Sequence, residues 1–331
     1  MANKTLVQWL AEIEQQHSLE IELSLERISE VAARLSVLKF NCPVITVGGT
    51  NGKGSTVATL AAIYGAAGYR CGVYTSPHLL QFNERIVIQD HKVSDAALCE
   101  AFAAVEAARD TITLTYFEFA TLAALYLFQK NKLDVVILEV GLGGRLDAVN
   151  IIDSDVAIVT TVDIDHTDYL GNSREQIGVE KAGIFRADKP AIYGDMDAVS
   201  SVVESANDIG AQLYLQGTDF YFQEEEKTWH WRNQDHHYGD LPKPRVLLHN
   251  ASLALQAVAL LEPRLPVTPE AIRQGLAAVH VAGRFQTVSV EPRCIVDVAH
   301  NPQASRELYR QLSRLGWQGR QIPLGITILP G

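Results

Sequence analysis

A glycine-rich turn between a strand-like run and a helix-like run is the segment of this sequence best suited to chemistry. The β-rich run CPVITVGG leads through TNGKGS into STVATLAAIYGAAGY, which is typical of a helix. Such a turn directs backbone N–H groups and the positive end of the helix dipole at a phosphate. Lys53 adds positive charge, with Gly52 and Gly54 on either side of it. We therefore predict a nucleotide-phosphate site at this turn.

The turn departs from the standard phosphate-loop pattern GxxxxGK[S/T]. Val47 stands where that pattern has its first glycine, and Gly54 stands where it has serine or threonine. Ser55, one residue later, is then the predicted hydroxyl near the phosphates and a metal ion. An ordinary glycine-rich turn without a ligand is the alternative that these residues leave open.

Carboxylates follow two further apolar runs. Glu139 lies near the end of DVVILEV, and His166 stands among Asp163, Asp165 and Asp168 just after DVAIVTTVD. The carboxyl ends of parallel strands are where α/β folds bind ligands. For Glu139, the alternative is a charged residue at a strand end without a ligand. For His166, the alternative is a hydrogen-bonded loop residue, because magnesium prefers oxygen ligands.

Alternating strand-like and helix-like segments must position these residues. Continuous apolar runs separated by helices predict an α/β fold with a parallel sheet covered on both faces. Helices are predicted from Leu6 to about His17, from Leu25, and after Ser94 as N-cap. Polar alternation from Gln212 to Pro244 predicts a peripheral antiparallel flap that carries little core, after which HNASLALQAVALLE and TPEAIRQGLAAV are predicted to be helices.

Composition excludes several classes of protein. The chain has 331 residues, of which 47% are hydrophobic, enough to fill the cores of two domains and too many for a disordered chain. No uncharged apolar run is long enough to span a membrane, and a net charge of −11 argues against nonspecific binding to nucleic acid. The four cysteines show no CxxC pairing, which favours reduced thiols and a cytoplasmic location.

The loop sequence GTNGKGS resembles that of folylpolyglutamate synthases and dihydrofolate synthases, members of the Mur ligase superfamily. The resemblance extends from Leu25 to Leu315, because further motifs occur in the family's order: YTSPHL with FNERI, LTYFEF, ILEVGLGGRLDAVN, DIDHTDYLG, EKAGIFR, HNA, GRFQ and DVAHNP. It is nearest to the bifunctional bacterial enzymes. It implies a phosphate-loop ATPase domain like the Mur ligase central domain, followed by a Rossmann-like second domain.

The resemblance also assigns roles to residues. It implies catalytic roles for Lys53, Lys181 and His166, and metal ligands at Ser76, Glu139 and His166. ATP would be contacted by Gly52, Lys53, Gly54, Ser55, Asn250, Arg284 and Asp297. Dihydropteroate would be contacted by Leu25, Glu26, Arg27, Ile28, Thr115, Tyr116, Phe117, Glu118 and Arg145. His300 faces the expected interdomain cleft by the same analogy, and a role at a helix N-terminus is its alternative.

Lys181, in VEKAGIF, would by itself be interpreted as a solvated helix lysine. The matching lysine of the family is carbamoylated by carbon dioxide, which turns a cation into a carboxylate-like anion that helps to position a metal. The reaction needs a lysine with a lowered pKa, because only the neutral amine reacts. Two Mg²⁺ ions, ATP as co-substrate and a carbamoylated Lys181 are therefore expected.

The resemblance implies an ATP-dependent ligase that joins L-glutamate to dihydropteroate and to folates through an acyl phosphate. We expect a monomer that binds small molecules only, with a first domain over 1–282 and a second over 283–331. The second domain reads as cut short, since about 45 residues after Val288 are too few for a domain. Impaired amide formation with retained nucleotide binding is therefore expected. A chain that binds ATP and pterin without efficient catalysis, or another phosphate-loop small-molecule kinase, stays open.

Overall fold

The computed structural model describes residues 4–19, 21–291 and 293–315. The chain divides into two compact units, Met1–Val279 and His280–Gly331. In the described part of the chain, no helix is both long and apolar enough to cross a membrane.

A mixed sheet lies at the centre of the first unit. Its strand order, over the described residues, is β4-β3-β2-β5-β1-β6-β7-β8. The strands are β1 (Val44–Gly48), β2 (Cys71–Tyr74), β3 (Ile86–Ile88), β4 (His91–Lys92), β5 (Val135–Glu139), β6 (Val156–Val159), β7 (Pro190–Tyr193) and β8 (Gln212–Leu215). The six strands from β2 to β8 in this order are parallel, as predicted. The antiparallel edge of β3 and β4 was not predicted, because strands this short show no hydrophobic pattern.

Helices cover both faces of this sheet. They are α1 (Leu6–Ile13), α2 (Glu26–Leu35), α3 (Lys53–Ala66), α4 (Asp95–Arg109), α5 (Tyr116–Lys130), α6 (Thr167–Leu170), α7 (Arg174–Ala182), α8 (Ser200–Ile209), α9 (Leu248–Leu261) and α10 (Pro269–Ala278). One core contains side chains of α1, α2, α4, α5, α7 and α8, and the other contains those of α3, α9 and α10. Because both faces are covered, every residue of β1 and of β5 is buried.

Two helix termini test the sequence signals. Ser94 caps α4 as predicted, since its Oγ accepts a hydrogen bond from the Ala97 N–H at 3.3 Å. The expected end of α1 near His17 is wrong, because the helix ends at Ile13. The residues that follow, EQQHS, offer no apolar side chain to hold another turn on the core. The His17 imidazole instead lies 2.6 Å from a carboxylate oxygen of Glu22.

The prediction of antiparallel strands in this segment is confirmed for its later part, but the prediction that the segment carries little core is wrong. Part of that segment is β8, which pairs in parallel with β7. The rest forms an antiparallel sheet of β9 (Tyr221–Glu224), β10 (Thr228–Arg232) and β11 (His237–Pro242). Trp229 and Trp231 on β10 are completely buried, as is Phe220. The two tryptophans are two residues apart and therefore lie on one face of the strand, where they belong to the core around α9.

The second unit contains a hairpin and a helix. Strands β12 (Gln286–Val290) and β13 (Arg293–Val296) are antiparallel, and α11 (Pro302–Arg314) follows. The predicted strand, loop and helix are β13, the DVAHNP segment and α11, whereas β12 was not predicted. Asn301 caps α11, because its side chain accepts a hydrogen bond from the Ala304 N–H at 2.9 Å.

Candidate active site

Two glycines give the loop between β1 and α3 its shape. Gly49 and Gly52 have positive φ angles of 132° and 92°. A Cβ atom at Gly49 would lie 1.9 Å from Thr160 Oγ1, and one at Gly52 would lie 2.3 Å from Asn250 Oδ1. Neither position has room for a side chain, so the backbone passes directly against β6 and α9.

Residues that directly follow β6 bind this loop through hydrogen bonds. Thr50 N donates to Thr161 O at 2.7 Å, and Thr160 Oγ1 donates to Asn51 O at 2.7 Å. Thr50 Oγ1 donates to Asp163 O at 3.2 Å and accepts from Asp163 N at 3.0 Å. The loop is therefore tied to the start of the DIDHTD segment, so the two motifs lie side by side.

Lys53 is the first residue of α3 and folds back over the loop. Its Nζ donates to Gly49 O at 2.9 Å and to Thr50 O at 3.3 Å. Over the residues described, no side chain caps the N-terminus of α3, and its first turn contains no acidic residue. Ser55, 7% exposed, lies in that turn. The ammonium group, the helix dipole and the backbone N–H groups of the first turn together favour an anion.

Glu139 lies at the carboxyl end of β5, next to the loop. Its side chain is 5% exposed, and its Oε2 accepts a hydrogen bond from Ser76 N at 3.3 Å. A Cβ atom at Gly54 would lie 3.7 Å from Glu139 Oε1. The structure therefore brings Ser76, Glu139 and the start of α3 together.

His166 stands at the N-terminus of the short helix α6, with 52% of its side chain exposed. Its backbone N–H donates to Asp165 Oδ1 at 3.0 Å. Among the described residues, no group of three or more His, Cys, Asp or Glu side chains is assembled for a metal. A magnesium ion bound with a nucleotide needs only one or two carboxylates, because phosphates and water complete its shell. The buried Glu139 carboxylate and the hydroxyls of Ser55 and Ser76 fit such an ion.

Lys181, near the end of α7, is 4% exposed. No hydrogen bond or ion pair to its Nζ occurs within the described residues. Burial, followed by the positive charge of Lys53, lowers the pKa of Lys181 to about 7, although Asp165 and Asp147 act in the opposite direction. A buried amine whose pKa is lowered into the neutral range therefore lies close enough to Lys53 of the phosphate loop to respond to its charge.

Asp147 is a buried carboxyl group that the sequence analysis missed. It is 2% exposed and accepts hydrogen bonds from Leu142 N at 2.8 Å and Val149 N at 3.0 Å. Burial raises the pKa of Asp147 to about 6, against the effect of these N–H groups and Lys53. The available signal was DAVN after a glycine turn, where an aspartate is a typical cap.

The GLGG turn sets the position of Lys181. A Cβ atom at Gly144 would lie 2.7 Å from Glu180 O and 2.9 Å from Lys181 O. Arg145 N donates to Glu180 O at 2.7 Å, and the Arg145 guanidinium pairs with the Glu180 carboxylate at 2.8 Å. Close approach of the two backbones thus fixes the last turn of α7 against the segment that follows Glu139.

The residues expected to contact dihydropteroate lie at the starts of α2 and α5, except Arg145, which follows the GLGG turn and pairs with Glu180. Arg27 Nη2 lies 3.1 Å from Glu118 Oε1, and Thr115 N donates to Glu118 Oε2 at 2.7 Å in a capping box. The Phe117 ring packs against Gly141, where a Cβ atom would lie 2.6 Å from its Cζ. Tyr116 is half-buried and Leu25 lies at the N-terminus of α2.

Two residues at the start of α2 that were expected to contact dihydropteroate differ from each other in their exposure to solvent. Glu26 is exposed to solvent. Ile28 is completely buried in the core.

The expected nucleotide contacts lie in both units. Asn250 is 4% exposed and packs against Gly52. In the second unit, Arg284 is half-buried, and Asp297 accepts hydrogen bonds from Phe285 N and Ala299 N, both at 2.8 Å. His300 Nδ1 lies 2.8 Å from Val298 O.

Comparison with known proteins identifies a family. Residues 47–237 match the Mur ligase middle domain. The chain is 49% identical over 321 residues to the dihydrofolate synthase/folylpolyglutamate synthase of Escherichia coli K12, covering 97% of this chain and 76% of that protein.

Two solved structures are similar as well. The E. coli enzyme in complex with DHPP and ADP has a TM-score of 0.93 at 48% identity, over 97% of this chain and 77% of that one. A bifunctional folylpolyglutamate synthase/dihydrofolate synthase with Mn, AMPPNP and L-glutamate bound has a TM-score of 0.89 at 52% identity, over 95% and 76%.

Proposed function

The chain belongs to the dihydrofolate synthase/folylpolyglutamate synthase family of Mur ligases, and from this premise we propose how its residues carry out ATP-dependent ligation of L-glutamate. The acceptors are dihydropteroate, which yields dihydrofolate, and folates, which gain further glutamates. ATP and a divalent metal ion are the co-substrate and cofactor. The single observation that carries the mechanism is the approach of the start of α3 to Glu139, where a Cβ atom at Gly54 would lie 3.7 Å from Glu139 Oε1, with the buried Lys181 near enough for the charge of Lys53 to lower its pKa.

The loop receives the phosphates of ATP. A substrate carboxylate attacks the γ-phosphorus, which gives an acyl phosphate and releases ADP. The amine of L-glutamate then attacks the acyl carbon and expels inorganic phosphate, so an amide bond forms and the amine loses a proton. Lys53 and the N–H groups at the start of α3 stabilise the negative charge that develops on the transferred group. No protein nucleophile takes part.

Ser76, Glu139 and His166 are the proposed ligands of two Mg²⁺ ions. When bound there, magnesium would supply positive charge that neutralises the phosphates. The burial of Glu139 and its bond from Ser76 N support a fixed ligand, since such a carboxylate does not have to be ordered when the metal binds.

Lys181 is proposed to carry a carbamate. The amine attacks carbon dioxide, a C–N bond forms, and the amine loses one proton. Two features support this proposal: the lowered pKa gives the amine a substantial neutral fraction near physiological pH, and no described residue pairs with it. The resulting anion would lie beside Lys53, which would stabilise it.

The acyl substrate is proposed to lie between α2 and α5. Aromatic surface from Tyr116 and Phe117 can stack on a pterin, while the Arg27–Glu118 pair and Thr115 can fix its polar edge. Arg145 is proposed to contact the same substrate. Leu25 and Ile28 act by shaping the start of α2, and Glu26 is the least supported member because it faces solvent.

Three earlier expectations remain proposals. Asn250, Arg284 and Asp297 are proposed nucleotide contacts, of which Asn250 is supported by its contact with Gly52. A monomer and a cytoplasmic location are also proposed, the second on the basis of four unpaired cysteines.

ADP release from ATP and dihydropteroate, measured with and without L-glutamate, tests the proposed function. We expect sustained ADP release only with both substrates, together with dihydrofolate as the product. A phosphorylated acceptor that accumulates without glutamate would identify a kinase instead.

A further inference from the structure

Arg85, in the FNERI motif, is a buried cation to which neither the proposed reaction nor the family resemblance assigns a role. It ends the short helical turn Phe82–Arg85 and precedes β3. The residue is 5% exposed. Its guanidinium carbon lies 5.6 Å from the ring centre of Phe82 and 5.4 Å from that of Tyr116, two rings that pack edge to face.

The guanidinium lacks a negative partner among the described residues. Within the described residues, its one side-chain hydrogen bond runs from Nε to His78 Nδ1 at 2.8 Å. An imidazole nitrogen that accepts from arginine is unprotonated, so His78 supplies no negative charge. None of the ion pairs formed by described residues includes Arg85. A buried cation without an anion is unfavourable, and its terminal nitrogens have donors to offer.

The adjacent carboxylate is engaged elsewhere. Glu84 Oε2 accepts a hydrogen bond from Leu79 N at 2.7 Å, and Glu84 Oε1 pairs with Lys92 at 3.2 Å. These contacts hold Glu84 against the loop that follows Ser76. The positive charge of Arg85 is therefore left for a ligand.

Strand register places Arg85 at the edge of the sheet where the active site lies. Tyr74 pairs with Leu138 on one side and with Ile86 on the other. One residue closer to the active site, Thr75 therefore lies between Glu139 on β5 and Arg85 before β3. Thr75 N donates a hydrogen bond to Arg85 O at 2.9 Å. Two strand spacings separate the Glu139 and Arg85 backbones, about 10 Å. Arg85 thus lies next to Tyr116 of the proposed pterin site. Its backbone is also about 10 Å from that of Glu139, the proposed metal ligand.

We propose that Arg85 binds the second carboxylate of folate substrates, the α-carboxylate of their terminal glutamate, while the other carboxylate of that glutamate reacts at the phosphate loop. This inference rests on the proposed ligase function. A guanidinium fork matches a carboxylate with two parallel hydrogen bonds. Dihydropteroate has a single carboxylate, which must reach the phosphorus, and therefore cannot use Arg85 in this way. Arg85 then determines specificity for folates over dihydropteroate.

Steady-state kinetics of Arg85→Gln with both acceptors tests this proposal. Loss of a charge-assisted pair predicts an increase of about tenfold or more in KM for tetrahydrofolate. The KM for dihydropteroate should stay within about twofold of the wild-type value. Arg85→Lys, which keeps the charge without the planar fork, should give an intermediate increase for tetrahydrofolate alone. Arg70→Gln is the matched control, because Arg70 pairs with Asp134 before β2 begins and both KM values should be unchanged.

Each other outcome has a definite meaning. An equal increase in KM for both acceptors would overturn the proposal, because Arg85 would then act on what the substrates share. Unchanged KM values for both would overturn it as well, leaving Arg85 a packing residue between two rings. If Arg85→Gln unfolds, Arg85→Lys decides between the same outcomes. A wild-type protein that ligates neither acceptor would instead contradict the proposed function.

Discussion

Asn250 occupies the space that a side chain at Gly52 would need. A Cβ atom at Gly52 would lie 2.3 Å from Asn250 Oδ1, and the φ angle of 92° at Gly52 disfavours any other residue. The buried amide on α9 therefore leaves room for a glycine only at this position of the phosphate loop. Two residues almost 200 positions apart in sequence are coupled through this contact.

Gly52→Ala should abolish ATP turnover. The substitution adds a backbone cost of about 1–2 kcal/mol and also forces the loop away from Asn250. Gly68→Ala is the control: its φ is 85°, but no atom lies within 4 Å of the new Cβ. We expect Gly68→Ala to lose stability with full activity, measured by chemical denaturation and ADP formation. Equal activity in both variants would show that the contact with Asn250 does not shape the loop.

Lys53→Ala should abolish ATP turnover while the protein stays folded. The substitution removes the charge that faces the phosphates but removes little apolar surface from the core. Lys132→Ala, at an exposed position far along the chain, should behave as wild type. Circular dichroism verifies folding, and ADP formation measures turnover. Near-normal turnover of Lys53→Ala would mean that the loop does not bind phosphate.

Lys181→Ala should be inactive and partly rescued by a short carboxylic acid that fills the vacated space. Lys53→Ala should not be rescued by the same acid, which makes it the control. Mass spectrometry of the intact wild-type protein should show the added mass of one carbon dioxide. A fully active protein with unmodified Lys181 would refute the carbamate.

The same lysine predicts a pH dependence. Because its pKa is lowered from 10.5 to about 7, the amine is mostly neutral above pH 7. The rate at which bicarbonate reactivates decarbamoylated enzyme should therefore rise through pH 7 and level off at about pH 8. Between pH 7 and 10.5 the unfolded state binds more protons at this group, so the unmodified protein should also gain stability as the pH rises. Reactivation that keeps rising beyond pH 9 would indicate an ordinary lysine.

Local sequence predicts part of this molecule and misses the rest for physical reasons. The turn around Lys53 and the strand ending at Glu139 carry local signals, because loop shape and continuous burial depend on nearby residues. The burial of Lys181 has no local signal, since it results from the close approach of Gly144 to the end of α7. The family resemblance, and not the helix pattern, pointed to that lysine. Asp147 was missed because its burial likewise arises from tertiary packing.

In the antiparallel sheet of β9, β10 and β11, the local sequence pattern was present but led to a wrong prediction of burial. Its polar alternation predicted antiparallel strands correctly, but it also predicted little core, whereas Trp231 and Trp229 are completely buried. Trp231→Ala should lower the free energy of unfolding by about 3–5 kcal/mol. Tyr221→Ala, on the neighbouring strand and 41% exposed, should lower it by less than about 1 kcal/mol. Urea denaturation measures both, and a small effect at Trp231 would show that this sheet does not support the core.

The account depends most on transfer of a phosphoryl group to the acceptor carboxylate. Dihydropteroate labelled with heavy oxygen in its carboxylate tests this transfer directly, with ATP and L-glutamate present. An acyl phosphate predicts that one labelled oxygen appears in each inorganic phosphate and that the other stays in the new amide. Unlabelled phosphate, formed while dihydrofolate accumulates, would contradict the proposed mechanism.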